Sequence, residues 1–265
     1  MIRIGLIQTN STEDFQANLA FALEQLGAAA AGGAELVAFP EVFLYVGGRE
    51  GKLAHAQTLE GDVVGRFREE AAQRGIWLLL GSIHERIPGR TDKVYNTSVL
   101  IGRKGEIAAT YRKRNLFDVE LPDLRIMESD SIVPGEAPAP VVESDLGRLG
   151  LTVCFDLRFP ALYRQLRRDG AQIVFAPSNF TAPTGAAHWE VLLRARAVEN
   201  QVYLAAPAQV GRHNARYTSY GHTALVDPWG TVTALAPERP GIVFGDIDLD
   251  YLERVRREIP LEGEG

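Results

Sequence analysis

The chain has 265 residues, 46% of them hydrophobic and 23% charged, which excludes a disordered, collagen-like or coiled-coil protein. Its net charge of −6 disfavours a nucleic-acid partner, which needs a basic surface. No apolar run approaches the roughly 18 residues of a membrane span, so a membrane partner is not expected. In chain order, Ile2 to Gln8 is a β-rich run, and the opening MIRIGLIQTN lacks the order of a signal peptide. Ser11 opens a Ser-x-x-Asp stretch close to a capping box. Phe15, Leu19, Leu23 and Leu26 share one helical face, and Gly32 and Gly33 end that helix. Glu35 to Phe39 reads as a strand stopped by Pro40, and Val64 to Gln73 as a helix. Trp77 to Gly81 is a continuous apolar run, expected to be a strand buried on both faces. Val94 to Ile101 and Glu106 to Tyr111 form a hairpin pattern across Arg103-Lys104-Gly105.

From Leu116 to Val142 no period emerges, and so long an irregular segment is more often functional than idle. Strands then follow at Leu149 to Cys154, Ile173 to Ala176 and Val202 to Ala206, with helices at Ala161 to Arg168 and Ala187 to Asn200 between them. Thr223 to Val226, Thr231 to Leu235 and Ile242 to Ile247 are later strands, with Asp227-Pro228-Trp229-Gly230 as a turn and Leu249 to Arg257 as a last helix. Without a linker or repeat, one α/β domain over residues 1–265 is the economical expectation. The one cysteine, Cys154, excludes an intramolecular disulfide and a multi-cysteine zinc site, and it fits a reducing cytoplasm.

Three reactive side chains stand where strands end, which is where open α/β sheets gather their active sites. They are Glu41 in AFPEVF, Lys113 in TYRKRNLFDVE and Cys154 in LTVCFDLRFP. Taken singly, each has a plainer reading: a buried small hydrophobe for the cysteine, solvated residues for the other two. Their flanks change the balance. In this order and spacing the three segments resemble the Glu, Lys and Cys motifs of the nitrilase, or carbon–nitrogen hydrolase, superfamily. The likeness extends through HWEVLLRARAVENQVYLAAPAQVGRH, SYGHTALVDPWG and IDLDYLERVRREIP. These stretches resemble the Nit branch, most of all its deaminated glutathione amidases, with omega-amidases close.

The resemblance implies an αββα sandwich that becomes αββα–αββα in a homodimer or larger homo-oligomer. It implies Cys154 as nucleophile, Glu41 as general base, Lys113 as oxyanion donor and Glu128, in RIMESDSIVPG, as a supporting glutamate. The chemistry needs these types. A thiol of pKa about 8.5 requires a base or a positive field to attack at neutral pH. The backbone N–H of Phe155 joins Lys113 as the second proposed oxyanion donor. Loss of ammonia leaves a thioester that water hydrolyses, with no cofactor and no metal. The implied substrate is a small ω-amide such as deaminated glutathione, with 2-oxoglutaramate as the alternative and an N-carbamoyl amino acid or nitrile behind it. Arg158 is the first choice for the substrate carboxylate, against an internal ion pair with Asp156; Arg212 and Arg216 are further choices. Asn179 and Tyr45 are candidate pocket contacts. His188, His213 and His222 have structural or substrate-loop readings, with His188 a candidate for the pocket mouth. The family commonly has His where this chain has Asn115, a departure that bears on fine tuning. A binding protein that had lost catalysis would lack one of Glu41, Lys113 or Cys154, and a thiol redox protein would need a second cysteine; neither condition is met.

Overall fold

The computed structural model describes residues 1–121, 124–215 and 217–261. Its first half carries β1 (Ile2–Gln8), α1 (Phe15–Ala31), β2 (Leu36–Ala38), α2 (Arg49–Ala54), α3 (Asp62–Arg74), β3 (Trp77–Arg86), β4 (Val94–Ile101), β5 (Ile107–Arg112), β6 (Asp118–Leu121) and β7 (Leu124–Met127). The second half carries β8 (Val141–Ser144), β9 (Gly147–Leu151), α4 (Pro160–Arg168), β10 (Ile173–Phe175), α5 (Ala182–Asn200), β11 (Tyr203–Ala206), β12 (Val210–Arg212), β13 (Thr218–Tyr220), β14 (Ala224–Val226), β15 (Val232–Leu235), β16 (Gly241–Ile247) and α6 (Leu249–Glu258). Two six-stranded sheets result, ordered β16-β1-β2-β3-β4-β5 and β15-β14-β11-β10-β9-β8.

Strand alternation explains the layers. On the first sheet Ile4, Leu6, Leu36, Ala38 and Leu79 join one core with Leu149, Leu151, Ile173 and Phe175 of the second sheet. Their neighbours Ile7, Val37, Leu78 and Leu80 point the other way, onto Leu19, Leu26, Val64 and Phe67 of α1 and α3. Tyr163 and Leu166 of α4 and Trp189 and Leu193 of α5 cover the second sheet. The order is helices, sheet, sheet, helices, the αββα sandwich expected. Strand β3 is buried from Trp77 through Glu85, in keeping with its apolar run.

Several local expectations shift. Asp14, not Ser11, caps α1: its carboxylate accepts Ala17 N–H at 3.0 Å, while Ser11 Oγ donates to Phe43 O at 2.6 Å. Helix α5 begins at Ala182 rather than Ala187, because Pro183 falls in its first turn, where a missing N–H costs nothing. The stretch 116–142 is not all irregular: β6 and β7 pair as a hairpin, and a 3-10 turn follows at Glu128–Asp130. The short elements α2, β8 and the β12–β13 hairpin carried too little periodicity to be read. The strand expected to run to Cys154 ends at Leu151, and Cys154 opens a 3-10 turn, Cys154–Arg158.

Candidate active site

Glu41 is placed by a turn that needs a glycine opposite it. A Cβ on Gly81 would stand 1.8 Å from Phe39 O and 2.3 Å from Pro40 O, so only glycine lets β3 pass this close. Ser82 fastens the same turn, donating its N–H to Pro40 O at 3.2 Å and accepting Val42 N–H on Oγ at 3.0 Å. Val42 is held at φ 48. Lys113 follows β5, its N–H on Asn96 O at 2.8 Å. Cys154 also has a left-handed backbone, φ 48, and its N–H bonds Pro177 O at 2.9 Å. A non-glycine residue in that region is uncommon, and it turns the side chain sharply out of the path of the strand.

The charged groups meet. Lys113 Nζ donates to Glu41 Oε1 at 2.9 Å and to Glu128 Oε2 at 2.7 Å. Asn96 Nδ2 donates to Glu41 Oε1 at 2.9 Å and Glu128 Oε1 at 3.1 Å, and Phe117 N–H to Glu128 Oε2 at 2.7 Å. Burial alone would lower the Lys113 pKa, but Glu128 and Glu41 outweigh it and hold the ammonium well above its usual 10.5. Burial works to raise the Glu128 pKa, yet Lys113, Phe117 N–H and Asn96 keep it below 4.5. Burial pushes the Cys154 thiol well above its usual 9.0, and Glu41 beside it adds to the shift more than Lys113 takes away. At neutral pH the cysteine therefore rests as a thiol and needs a base at the moment of attack.

Glu41, Lys113, Glu128, Cys154, Tyr45 and Asn179 all line one cavity of about 400 Å³, within the range of small-molecule sites. Phe155 and Arg158 do not line it; they form an adjoining recess of about 10 Å³ that Cys154 and Asn179 share. Asn179 is held by Ser219 Oγ, which donates to its Oδ1, and by Tyr217 OH, which donates to its O at 2.8 Å. Arg158 does not pair with Asp156. Its guanidinium lies 3.2 Å from His188 Nδ1 and packs over the Phe155 and Phe180 rings. His188 lines neither space. His213 is buried between Ser11 O at 2.6 Å and Ser219 Oγ at 2.7 Å, and His222 stacks on Tyr220. Arg212 turns back to Asn214 O, and Arg216 lies outside the described residues.

Two further residues organise the site: Asn96, which the sequence reading missed, and Asp156, which it considered only as an ion-pair partner of Arg158. Asn96 clamps both glutamates; the signal was a run of polar Asn96, Thr97 and Ser98 inside the buried strand β4. Asp156 joins the cysteine turn to the lysine loop. Its Oδ2 accepts Val153 N–H at 2.9 Å and Tyr111 OH at 2.9 Å, and its Oδ1 accepts Asn115 Nδ2 at 2.7 Å. Asn115 thus keeps a hydrogen-bonding role in this chain. Asp156→Ala is expected to cost about 2–3 kcal/mol, because it strands buried donors, and to lower turnover. Urea unfolding of the variant checks this; an unchanged midpoint would show that the network does not hold the turn.

Known proteins share this fold. The carbon–nitrogen hydrolase family profile matches residues 3–257. Human deaminated glutathione amidase is 44% identical over 262 residues, 97% of this chain and 80% of the human one. The NitFhit protein of Caenorhabditis elegans superposes with a TM-score of 0.94 at 39% identity, covering 100% of this chain; the chain spans 65% of that protein. An amidase from Nesterenkonia sp. AN1, solved with acrylamide added to its active-site cysteine, gives a TM-score of 0.81 at 31% identity over 97% of this chain and 98% of that one. With a family match across nearly its whole length and the same fold, the chain belongs to the carbon–nitrogen hydrolase family.

Proposed function

We propose that the protein is a cysteine-dependent amidase acting on a small ω-amide, with deaminated glutathione as the favoured substrate. The observation that carries the chemistry is the Glu41–Lys113–Glu128 cluster, hydrogen-bonded on the wall of the cavity that holds Cys154. The likeness to human deaminated glutathione amidase supports the substrate.

In this reading Glu41 takes the Cys154 proton as sulfur bonds to the amide carbon. Negative charge on the carbonyl oxygen meets the Lys113 ammonium and the N–H of Phe155, the second residue of the 3-10 turn; that N–H therefore belongs to a class of donors that a helix start leaves without an intrahelical partner. Glu41 returns the proton to the leaving nitrogen, the C–N bond breaks, and a thioester is left on Cys154. Water, deprotonated by Glu41, then releases the acid. Glu128 keeps Lys113 charged and aimed. For a primary amide the leaving group is ammonia. For deaminated glutathione the scissile nitrogen belongs to cysteinylglycine, so that dipeptide leaves instead, a correction to the ammonia release expected from sequence.

We also read residues 1–265 as one catalytic domain, because both sheets share the inner core. Exposed Val191 and Val198 on α5, and Trp229 beyond it, support a homodimer. Cys154 as a free thiol suits the cytoplasm.

The test is product formation on a panel of deaminated glutathione, 2-oxoglutaramate, an N-carbamoyl amino acid and a nitrile. The highest kcat/KM is expected on deaminated glutathione, with cysteinylglycine released. A higher value on 2-oxoglutaramate would make the protein an omega-amidase, and turnover of none would refute the substrate class.

A further inference from the structure

Lys52 is a cation that the catalytic scheme leaves unused. It lies in α2 and lines the cavity that contains Cys154. Its Nζ donates to Ser131 Oγ at 2.8 Å, and among the described residues no carboxylate forms an ion pair with it. An ammonium has three N–H donors, so two stay available to a ligand. His84 lines the same wall, only 7% exposed, and its ring makes no hydrogen bond among the described residues. Burial, reinforced by Lys52, holds that imidazole well below 6.5, so at neutral pH it offers one N–H without a second charge. Tyr45 packs edge-on against it, ring centroids 6.5 Å apart, and closes the wall.

The cavity divides the substrate's parts by size. The recess beside Arg158, about 10 Å³, holds no more than about one water, whereas the space beside Lys52 is about 400 Å³. The acyl chain of a bound primary ω-amide such as 2-oxoglutaramate, whose leaving group is only ammonia, therefore extends into the larger space, toward Lys52. Lys113, the other ammonium there, gives two of its three N–H groups to Glu41 and Glu128 and the third to the oxyanion, and Arg125, also in the lining, is exposed and lies 4.0 Å from Glu120. We infer that Lys52, assisted by His84, is the specificity-determining anchor for the carboxylate at the far end of the acyl chain, in place of the Arg158 expected from sequence. This assignment rests on the reading, proposed above, of a small ω-amide with a 2-oxo acid acyl group as substrate.

A matched pair of amides tests it: 2-oxoglutaramate, and levulinamide, in which a methyl group replaces the terminal carboxylate. The wild-type protein is expected to prefer 2-oxoglutaramate. In Lys52→Gln the ratio of the two kcat/KM values should fall about 10- to 100-fold, mainly through KM, the range for one charge-assisted hydrogen bond. Lys52→Arg should retain part of the preference. A residue that only balanced the charge of Glu41 and Glu128 would depress both substrates together, and an unchanged ratio overturns the assignment. If the wild-type protein cleaves levulinamide as well as 2-oxoglutaramate, the substrate reading itself fails, and the assignment with it. If the wild-type preference is clear and Lys52→Gln keeps it, the assignment alone fails.

Discussion

Cys154→Ala is expected to lower kcat/KM on the best amide by at least about 10⁴-fold and to leave the protein folded. The thiol is the nucleophile of the scheme, and no second cysteine exists to replace it. The substitution keeps the main-chain bond from Cys154 N–H to Pro177 O, and it leaves the Asp156 hydrogen bonds of the turn in place. Circular dichroism and the urea midpoint should therefore match the wild-type protein while turnover is lost. Retention of more than a few per cent of the activity would require a different nucleophile and would remove the thioester from the scheme.

Lys113→Met has the second largest effect, and it acts on stability as well as rate. The lysine side chain is 2% exposed and lies between carboxylates that are 6% and 13% exposed. Removing it leaves two buried acids without their cation, a loss of about 3–5 kcal/mol by analogy with broken buried pairs. Removing an oxyanion donor costs about 10²–10³ in kcat, and disturbing Glu41 adds to that, so a fall of at least about 10³ is expected. The two losses separate by a second change: adding Glu128→Gln to Lys113→Met should restore part of the stability and none of the rate.

The pH dependence has a definite sign. The folded pKa of Glu128 is depressed below 4.5, so its contribution to stability is present above that pH and disappears as pH falls through the depressed value. In Lys113→Met, burial without a cation raises the Glu128 pKa, and protonation then favours the folded state. The stability gap between wild type and variant should therefore narrow from pH 7 toward pH 4. Urea midpoints measured across that range decide it; a constant gap would mean that the ion pair does not contribute.

What could be read from sequence was local. FPEVF, TYRKR and LTVCF each put a reactive side chain just beyond a strand, and the 2- and 3.6-residue periods fixed which faces turn inward. What could not be read was assembled by pairs remote in the chain. Asn96 meets Glu41 across 55 positions, and Asp156 meets Tyr111 across 45. An amide or a carboxylate in an apolar stretch signals that some partner exists without saying which. Arg158 lies in the small recess and not in the main cavity, because proximity to Cys154 in sequence does not specify the side of the turn from which its side chain emerges. Lys52 stood in a six-residue helix too short to show a period. The left-handed backbone at Cys154 is set by the turn between the β9 strand and α4, and no residue type there announces it.

The most direct test of the account is the intact mass of the protein quenched in acid during turnover of 2-oxoglutaramate. The account predicts a population heavier by the acyl group, located at Cys154 by peptide mapping, labile to hydroxylamine and absent from Cys154→Ala. Steady turnover with no acyl adduct, by an enzyme whose single-turnover kinetics show acylation to be faster than hydrolysis, would contradict it.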